Sequence, residues 1–292
     1  MNANPVKTMI VHCLLLQPKF RTCLAGRARG KMAGATLMAI GMNSTPQIRF
    51  LAVRKKFGAS TVLDGVDFDV APGQFLGLAG VNGAGKTTLI KCLLDFIEPD
   101  SGSIELNGTS FREHRSRRTI AYLPERFIPP YFLSGREFIS NMLNLYGQPY
   151  DSAQVASICD ELDFSSEALQ KPVRSLSKGM TQKLGLAVCF LSRRDVYILD
   201  EPMSGLDPIA RVRVKRLLAR LRGERRTVLL TSHSLPDIEE ICDHMVILHK
   251  GRVAWKGVPS ELRDRSGGKP LEAAFLECIE SCDQTTEAER IH

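Results

Sequence analysis

The chain has 292 residues, 43% hydrophobic and 24% charged, which is enough apolar material for a packed core and argues against a wholly disordered protein. Its formal net charge of +7 is not spread over the body: Lys7, Lys19, Arg21, Arg27, Arg29 and Lys31 fall in residues 1–42, which hold no Asp or Glu. The remaining 33 basic residues face 32 acidic ones, so the basic stripe of a nucleic-acid binder is missing and no nucleic-acid partner is expected.

Residues 1–42 lack a hydrophobic period, and their longest apolar run is short and carries His12. The first serine is Ser44, which argues against a Ser-rich organelle transit peptide, and the short apolar run argues against a secretory signal. The expectation for residues 1–45 is a disordered extension, with Met42 as an alternative start. No stretch reaches the ~18–20 apolar residues needed to span a bilayer, so membrane work would require another polypeptide. The eight cysteines form no C-x-x-C pair and have no histidines at zinc-ligand spacing; they read as small buried apolar residues in a reducing compartment.

From Ile48 the pattern becomes punctuated α/β. Alternation predicts strands over 47–53 and 62–70, and a short apolar run predicts a buried strand over 75–79. A helix follows over 86–94, then a turn at 99–102 and a strand over 104–106. Ser134 and Glu137 form a capping box ahead of Phe138, Met142 and Leu145, and Gly147 and Pro149 stop that helix. Further helices are expected over 152–162, from Ser177 onward, and over 211–222; buried strands are expected over 197–199 and 228–231. Strands over 245–248 and 253–255 flank Lys250-Gly251, a hairpin signal. Ser266-Gly267-Gly268 links to a last helix over 271–282, and the final ten residues are expected to fray.

Two segments carry chemistry. Gly80-Val81-Asn82-Gly83-Ala84-Gly85-Lys86-Thr87 fits G-x-x-x-x-G-K-[ST] between an apolar strand and a helix, the context this phosphate cradle needs. Asn82, Gly83, Ala84, Gly85, Lys86, Thr87 and Thr88 are candidate ATP-binding residues: backbone N–H groups turn toward the phosphates, Lys86 adds a cation, and the Thr87 hydroxyl can ligate Mg²⁺. The strand ending Val196-Tyr197-Ile198-Leu199-Asp200-Glu201 supplies acid: Asp200 to hold Mg²⁺, Glu201 to polarise a water.

Between and after these pieces stand Leu176-Ser177-Lys178-Gly179-Met180-Thr181-Gln182, Ser204-Gly205-Leu206-Asp207-Pro208 and Ser232-His233. Their order resembles the ATP-binding cassette (ABC) family over about 46–282. The resemblance implies an α/β P-loop NTPase fold of ABC ATPase type: a mixed core sheet with flanking helices, an antiparallel β subdomain and a helical subdomain. It places the ATPase domain at 46–265, the helical part at about 126–190 and a C-terminal helix and tail at 266–292. It further implies that Ser177 and Gly179 contact the γ-phosphate held by an opposite subunit, that Asp207 lies in a loop communicating across the dimer, and that His233 is a catalytic switch beside Glu201. Phe57 matches the aromatic that stacks on adenine, with plain core packing as its alternative. Two positions depart from the family: Lys178 replaces a usual Gly, and Glu125 in Ala121-Tyr122-Leu123-Pro124-Glu125 replaces the usual Gln beside the metal. Tyr-Leu-Pro-Glu and the tail around Phe275 resemble exporter-type cassettes of the ABC-2 group.

The resemblance therefore implies an ATP-hydrolysing subunit, with ATP and Mg²⁺ as cofactors. It would work as a head-to-tail dimer with itself or a homologous subunit, beneath an integral membrane permease, on the cytoplasmic face of the plasma membrane. The apolar segment 127–132 is either a groove for that permease or internal packing. The rival reading is a non-transport cassette ATPase acting on nucleic acid or ribosomes. A regulatory module without turnover fits poorly with intact Lys86, Asp200, Glu201 and His233. Because no core pattern begins before about Ile48, deleting residues 1–41 is expected to leave the melting temperature and ATPase activity unchanged. A fall of several degrees in differential scanning calorimetry would overturn that boundary.

Overall fold

The computed structural model describes residues 45–291; the expectation for residues 1–44 lies outside the described part. A four-stranded antiparallel sheet, in the order β2-β1-β4-β5, is built from β1 (Ile48–Phe57), β2 (Ser60–Val70), β4 (Ser101–Leu106) and β5 (Thr109–Ser110). A six-stranded mixed sheet, in the order β10-β9-β3-β8-β7-β6, is built from β3 (Phe75–Ala79), β6 (Ile120–Leu123), β7 (Val196–Asp200), β8 (Thr227–Thr231), β9 (His244–His249) and β10 (Arg252–Gly257). Only β10 runs antiparallel to its neighbour in this sheet.

The central strands are apolar at nearly every position because both faces are covered. On β3, Phe75 and Ala79 join one core while Leu76 and Leu78 join the other; on β7, Tyr197 and Leu199 point one way and Val196 and Ile198 the other. The first core packs against the helices and the second against the antiparallel sheet and α1 (Lys86–Leu93). β1 outruns its predicted end because a bulge at Ala52, with φ 47°, shifts the side-chain alternation between Phe50 and Val53.

After the short helix α2 (His114–Arg117) and β6, the chain forms a run of helices: α3 (Gly135–Leu145), α4 (Ser152–Glu161), α5 (Ser166–Gln170), a 3₁₀ turn (Val173–Ser175) and α6 (Lys178–Leu191). The α3 capping box forms as its sequence predicts: Ser134 Oγ accepts from Glu137 N, and Ser134 N donates back to Glu137 Oε2. α7 (Pro208–Gly223), α8 (Leu235–Ile241), α9 (Pro259–Arg265) and α10 (Leu271–Ile291) complete the chain. α10 runs on beyond 282, since no Gly or Pro interrupts 271–291. Among the described residues no helix is long and apolar enough to cross a membrane.

The turn between β9 and β10 fastens the two sheets together at the glycine-rich loop. Lys250 and Gly251 both take positive φ, 46° and 79°, as a tight two-residue hairpin requires. Gly251 N donates to Ala84 O at 3.1 Å, and Asp64 N of β2 donates to Gly251 O at 2.8 Å. A Cβ on Gly251 would lie 2.5 Å from Val62 O. Gly251→Ala is therefore expected to cost roughly 1–3 kcal/mol of unfolding free energy, from backbone strain plus the clash. In urea denaturation, Gly223→Ala should stay within about 0.5 kcal/mol of wild type, because its methyl group meets nothing within 4 Å. Equal loss, or no loss, in both variants would remove the turn from this role.

Candidate active site

The loop between β3 and α1 turns tightly because its glycines occupy conformations closed to other residues. Gly85 caps α1 at φ 109°, and a Cβ there would sit 2.8 Å from both Val62 O and Leu63 Cδ2. Gly80 packs so closely on β9 that a Cβ would lie 2.4 Å from Leu248 O. The loop thus presents backbone N–H groups at the start of a helix, where partial positive charge accumulates. It opens into a cleft of about 350 Å³ lined by Val62, Asn82, Gly83, Ala84, Gly85, Lys86, Thr87, Thr88, Glu125, Asp200, Glu201 and His233.

Lys86 is buried and its Nζ donates to Gly80 O at 2.6 Å and to Val81 O at 3.3 Å. Burial pushes its pKa down, against the opposing pull of Glu201, Asp200 and Glu125. Across the cleft, Thr231 of β8 organises both acids. Its hydroxyl donates to Asp200 Oδ1 at 2.6 Å and accepts from Glu201 N at 3.0 Å. Asp200 is 2% exposed, and its Oδ2 is buried without a hydrogen-bond partner. Burial raises the Asp200 pKa above its ordinary value, partly offset by the Thr231 hydrogen bond, while Glu125 pushes it further up.

Glu201 sits at φ 52°, in the left-handed region, a conformation that costs a non-glycine residue of order 1–3 kcal/mol and persists only where neighbours enforce it. Its Oε1 is buried with no hydrogen-bond partner, and His233 Nε2 approaches to 3.4 Å. Burial raises the Glu201 pKa too, opposed chiefly by His233. The donor set suits a hard dication that also takes phosphate oxygens: the orphaned Asp200 Oδ2, the Thr87 hydroxyl and the carboxylate of Glu125.

The structure thus gathers the loop residues, Thr87, Glu125, Asp200, Glu201 and His233 around one cleft. It does not gather Ser177 and Gly179: Ser177 is exposed and caps α6, accepting from Met180 N at 3.2 Å, and neither lines this cleft. Asp207 caps α7 through Ala210 N at 2.8 Å. Phe57 stands 48% exposed at the end of β1, with the Lys55 ammonium over its ring, so it is not core; nor is it among the lining residues. Sequence reasoning missed Val62, which reaches the cleft through the packing of β2 on the loop, and Thr231, whose position at the end of a strand beside Asp200 was its only signal.

Residues 63–204 match the ABC transporter domain family. Nod factor export ATP-binding protein I of Ralstonia nicotianae is 36% identical over 231 residues, 76% of this chain and 70% of that protein. ABC-type transporter ATP-binding protein EcsA of Bacillus subtilis is 35% identical over 239 residues, 78% of this chain and 95% of EcsA. The chain belongs to the ATP-binding proteins of ABC transporters. Its fold matches the solved ATP-binding subunit of an ABC transporter with a TM-score of 0.73 at 31% identity, covering 80% of this chain and 99% of that one. As an ABC transporter ATP-binding protein it is a nucleotide-binding ATPase of the transport-coupled kind.

The buried acids give the site a measurable cost. A carboxylate whose folded pKa is raised favours the folded state below its unfolded pKa and loses that contribution as pH rises through the folded value. At pH 7 ionised Asp200 therefore destabilises the nucleotide-free protein. Asp200→Asn is expected to raise its melting temperature at pH 7, with the gain shrinking as the pH falls toward the ordinary carboxylate range. In differential scanning fluorimetry Mg-ATP is expected to raise the melting temperature of wild type and not that of this variant. A lower melting temperature at pH 7 would contradict the desolvation account.

Proposed function

We propose that the cleft hydrolyses ATP with Glu201 as general base, and that closure of a head-to-tail dimer around two nucleotides drives export through a separate membrane permease. The observation that carries this is the juxtaposition of Glu201 Oε1, buried and without a hydrogen bond, with His233 Nε2 at 3.4 Å, one residue beyond the buried Asp200 and across the cleft from Lys86.

Asn82, Gly83, Ala84, Gly85 and Thr88 bind the phosphates through backbone and side-chain donors, and Lys86 exchanges the carbonyls of Gly80 and Val81 for the β/γ-phosphates. Thr87, Asp200 and Glu125 hold Mg²⁺, which neutralises charge on the phosphate oxygens. Glu201 takes a proton from water as its oxygen bonds to the γ-phosphorus; the bond from that phosphorus to the β-phosphate oxygen breaks, leaving ADP and phosphate. His233 orients the water and the γ-phosphate. Phe57 offers its exposed ring to adenine, and Val62 the apolar wall.

Ser177 and Gly179 stand outside their own chain's cleft yet at an exposed helix N-terminus, which suits the γ-phosphate of a partner chain. Asp207 lies at that same dimer face. Residues 46–265 act as the ATPase domain, with a helical part at about 126–190 and the C-terminal helix and tail from 266. The segment after Glu125 divides in two: Phe127 packs edge-on against Phe138, while Ile128, Tyr131 and Phe132 are each about 60% exposed. Those three form the docking surface for a cytoplasmic segment of the permease, at the inner face of the plasma membrane. Export is favoured by the similarity to Nod factor export ATP-binding protein I of Ralstonia nicotianae.

Removing a catalytic base typically costs on the order of 10²–10⁴ in rate. Glu201→Gln is expected to bind Mg-ATP, lose turnover by that factor and accumulate as a closed dimer, because the loss of charge also relieves repulsion against the γ-phosphate. Gel filtration with light scattering, with and without Mg-ATP, reads this directly. A variant that stays monomeric and hydrolyses at the wild-type rate would sink both the base and the shared site.

A further inference from the structure

We propose that Gln182 is a positioning residue that holds the catalytic glutamate in its strained conformation and ties it to the start of α6, so that contacts made at Ser177–Gly179 are felt at Glu201 of the same chain. The proposal rests on the ATP-hydrolysis reading above and goes beyond it by assigning a residue that touches neither nucleotide nor metal.

Glu201 is gripped on both sides of its backbone. On the amide side, its N–H donates to Thr231 Oγ1 at 3.0 Å. On the carbonyl side, Gln182 Nε2 donates to Glu201 O at 3.4 Å and to Pro202 O at 3.0 Å. Both acceptors are carbonyls, which fixes the amide with its nitrogen toward them. Gln182 is only 5% exposed, so these bonds are sheltered from water and leaving the carbonyls unpaired carries a desolvation penalty. A non-glycine residue at φ 52° relaxes when such restraints are removed, and its side chain swings with the backbone.

Gln182 lies on α6, little more than one turn from its N-terminus, and that first turn grips the loop after Glu201 at two more points. Gly179 approaches Gly205 so closely that a Cβ would lie 3.0 Å from Gly205 O. The aliphatic stem of Lys178 covers Gly205, whose added Cβ would meet its Cε at 3.1 Å. Lys178, one of the two departures from the family pattern, is therefore packed against this loop along its stem. The first turn of α6 and the segment 201–205 form one mechanical unit. A ligand or partner chain that shifts Ser177–Gly179 moves the carbonyl of Glu201 through Gln182.

The test is Gln182→Met, which keeps the side-chain length and removes the donors, with Gln182→His as the variant that retains a ring N–H. Turnover of the full-length chain is measured per nucleotide-binding site, titrated in the same sample, so a misfolded fraction does not enter the rate. Displacing a catalytic group by ~1 Å costs up to about 10²-fold, so kcat of Gln182→Met is expected to fall at least about tenfold with KM for ATP within twofold. Gln182→His should fall between it and wild type, and should carry the comparison if the methionine variant does not fold. Combined with Glu201→Gln, the methionine substitution should leave closed-dimer formation with Mg-ATP unchanged. Wild-type kcat per site in both variants, whatever their melting temperatures, would overturn the proposal, as would a rise in KM without a fall in kcat. A wild-type chain without any ATP turnover would instead overturn the hydrolysis reading, and this inference with it.

Discussion

The structure depends on holding one lysine and two carboxylates out of water around a single cleft. Each group alone would be costly to bury, and Lys86, Asp200 and Glu201 all have pKa values displaced by desolvation. Their mutual charge offsets part of that cost, and hydrogen bonds through Thr231, Gly80 and Val81 offset more. Asp200 Oδ2 and Glu201 Oε1 nevertheless lack a hydrogen-bond partner, although His233 Nε2 stands 3.4 Å from the latter. In the function proposed above, these two oxygens are where the protein trades stability for chemistry: an acid fully satisfied in the resting state would have nothing left for a metal or a water.

Such a site needs a rigid frame, and the fold supplies it from several directions. Strands β3, β7 and β8, buried on both faces, fix the ends from which the glycine loop, Asp200 and Thr231 emerge. The Lys250-Gly251 turn presses on the loop from β9, and β2 reaches over it with Val62. Close backbone packing here is permitted only by Gly80, Gly85 and Gly251, each set where a Cβ would overlap a carbonyl or a side chain. The same reasoning explains why Glu201 keeps a left-handed φ: it is bonded at both its amide and its carbonyl.

The remaining surface divides by chemistry. Ionic contacts tie neighbouring helices, as where the buried Asp237 of α8 meets Arg211 and Lys215 of α7. Four cysteines are passive: Cys92, Cys159, Cys189 and Cys242 are buried, and burial pushes their thiols up, those of Cys92 and Cys159 to about 11. By contrast Ile128, Tyr131 and Phe132 stay open to solvent beside Phe127, a partly buried residue that packs against the core at Phe138.

What the sequence by itself determined was carried by local rules. The glycine spacing before Lys86, the apolar strand before Asp200 and the Ser134 capping box each specify their own geometry within a few residues. These made the cleft's acids, its lysine and the α/β layering legible without coordinates. Short elements were not legible: β6, α5, α8 and α9 offer too few residues to show a period, and they form because packing covers them. Only the tertiary structure decided the pairings across long separations. Thr231 joins Glu201 from 30 residues away, Gln182 reaches its carbonyl from 19, and Gly251 meets Ala84 across most of the domain. It also decided that Phe57 is a solvent-facing ring and that Ser177 and Gly179 stand apart from their own cleft. Spacing along the chain encodes torsion angles and faces, but which strand ends and helix starts converge is settled only when the sheets stack and the loops are pressed together.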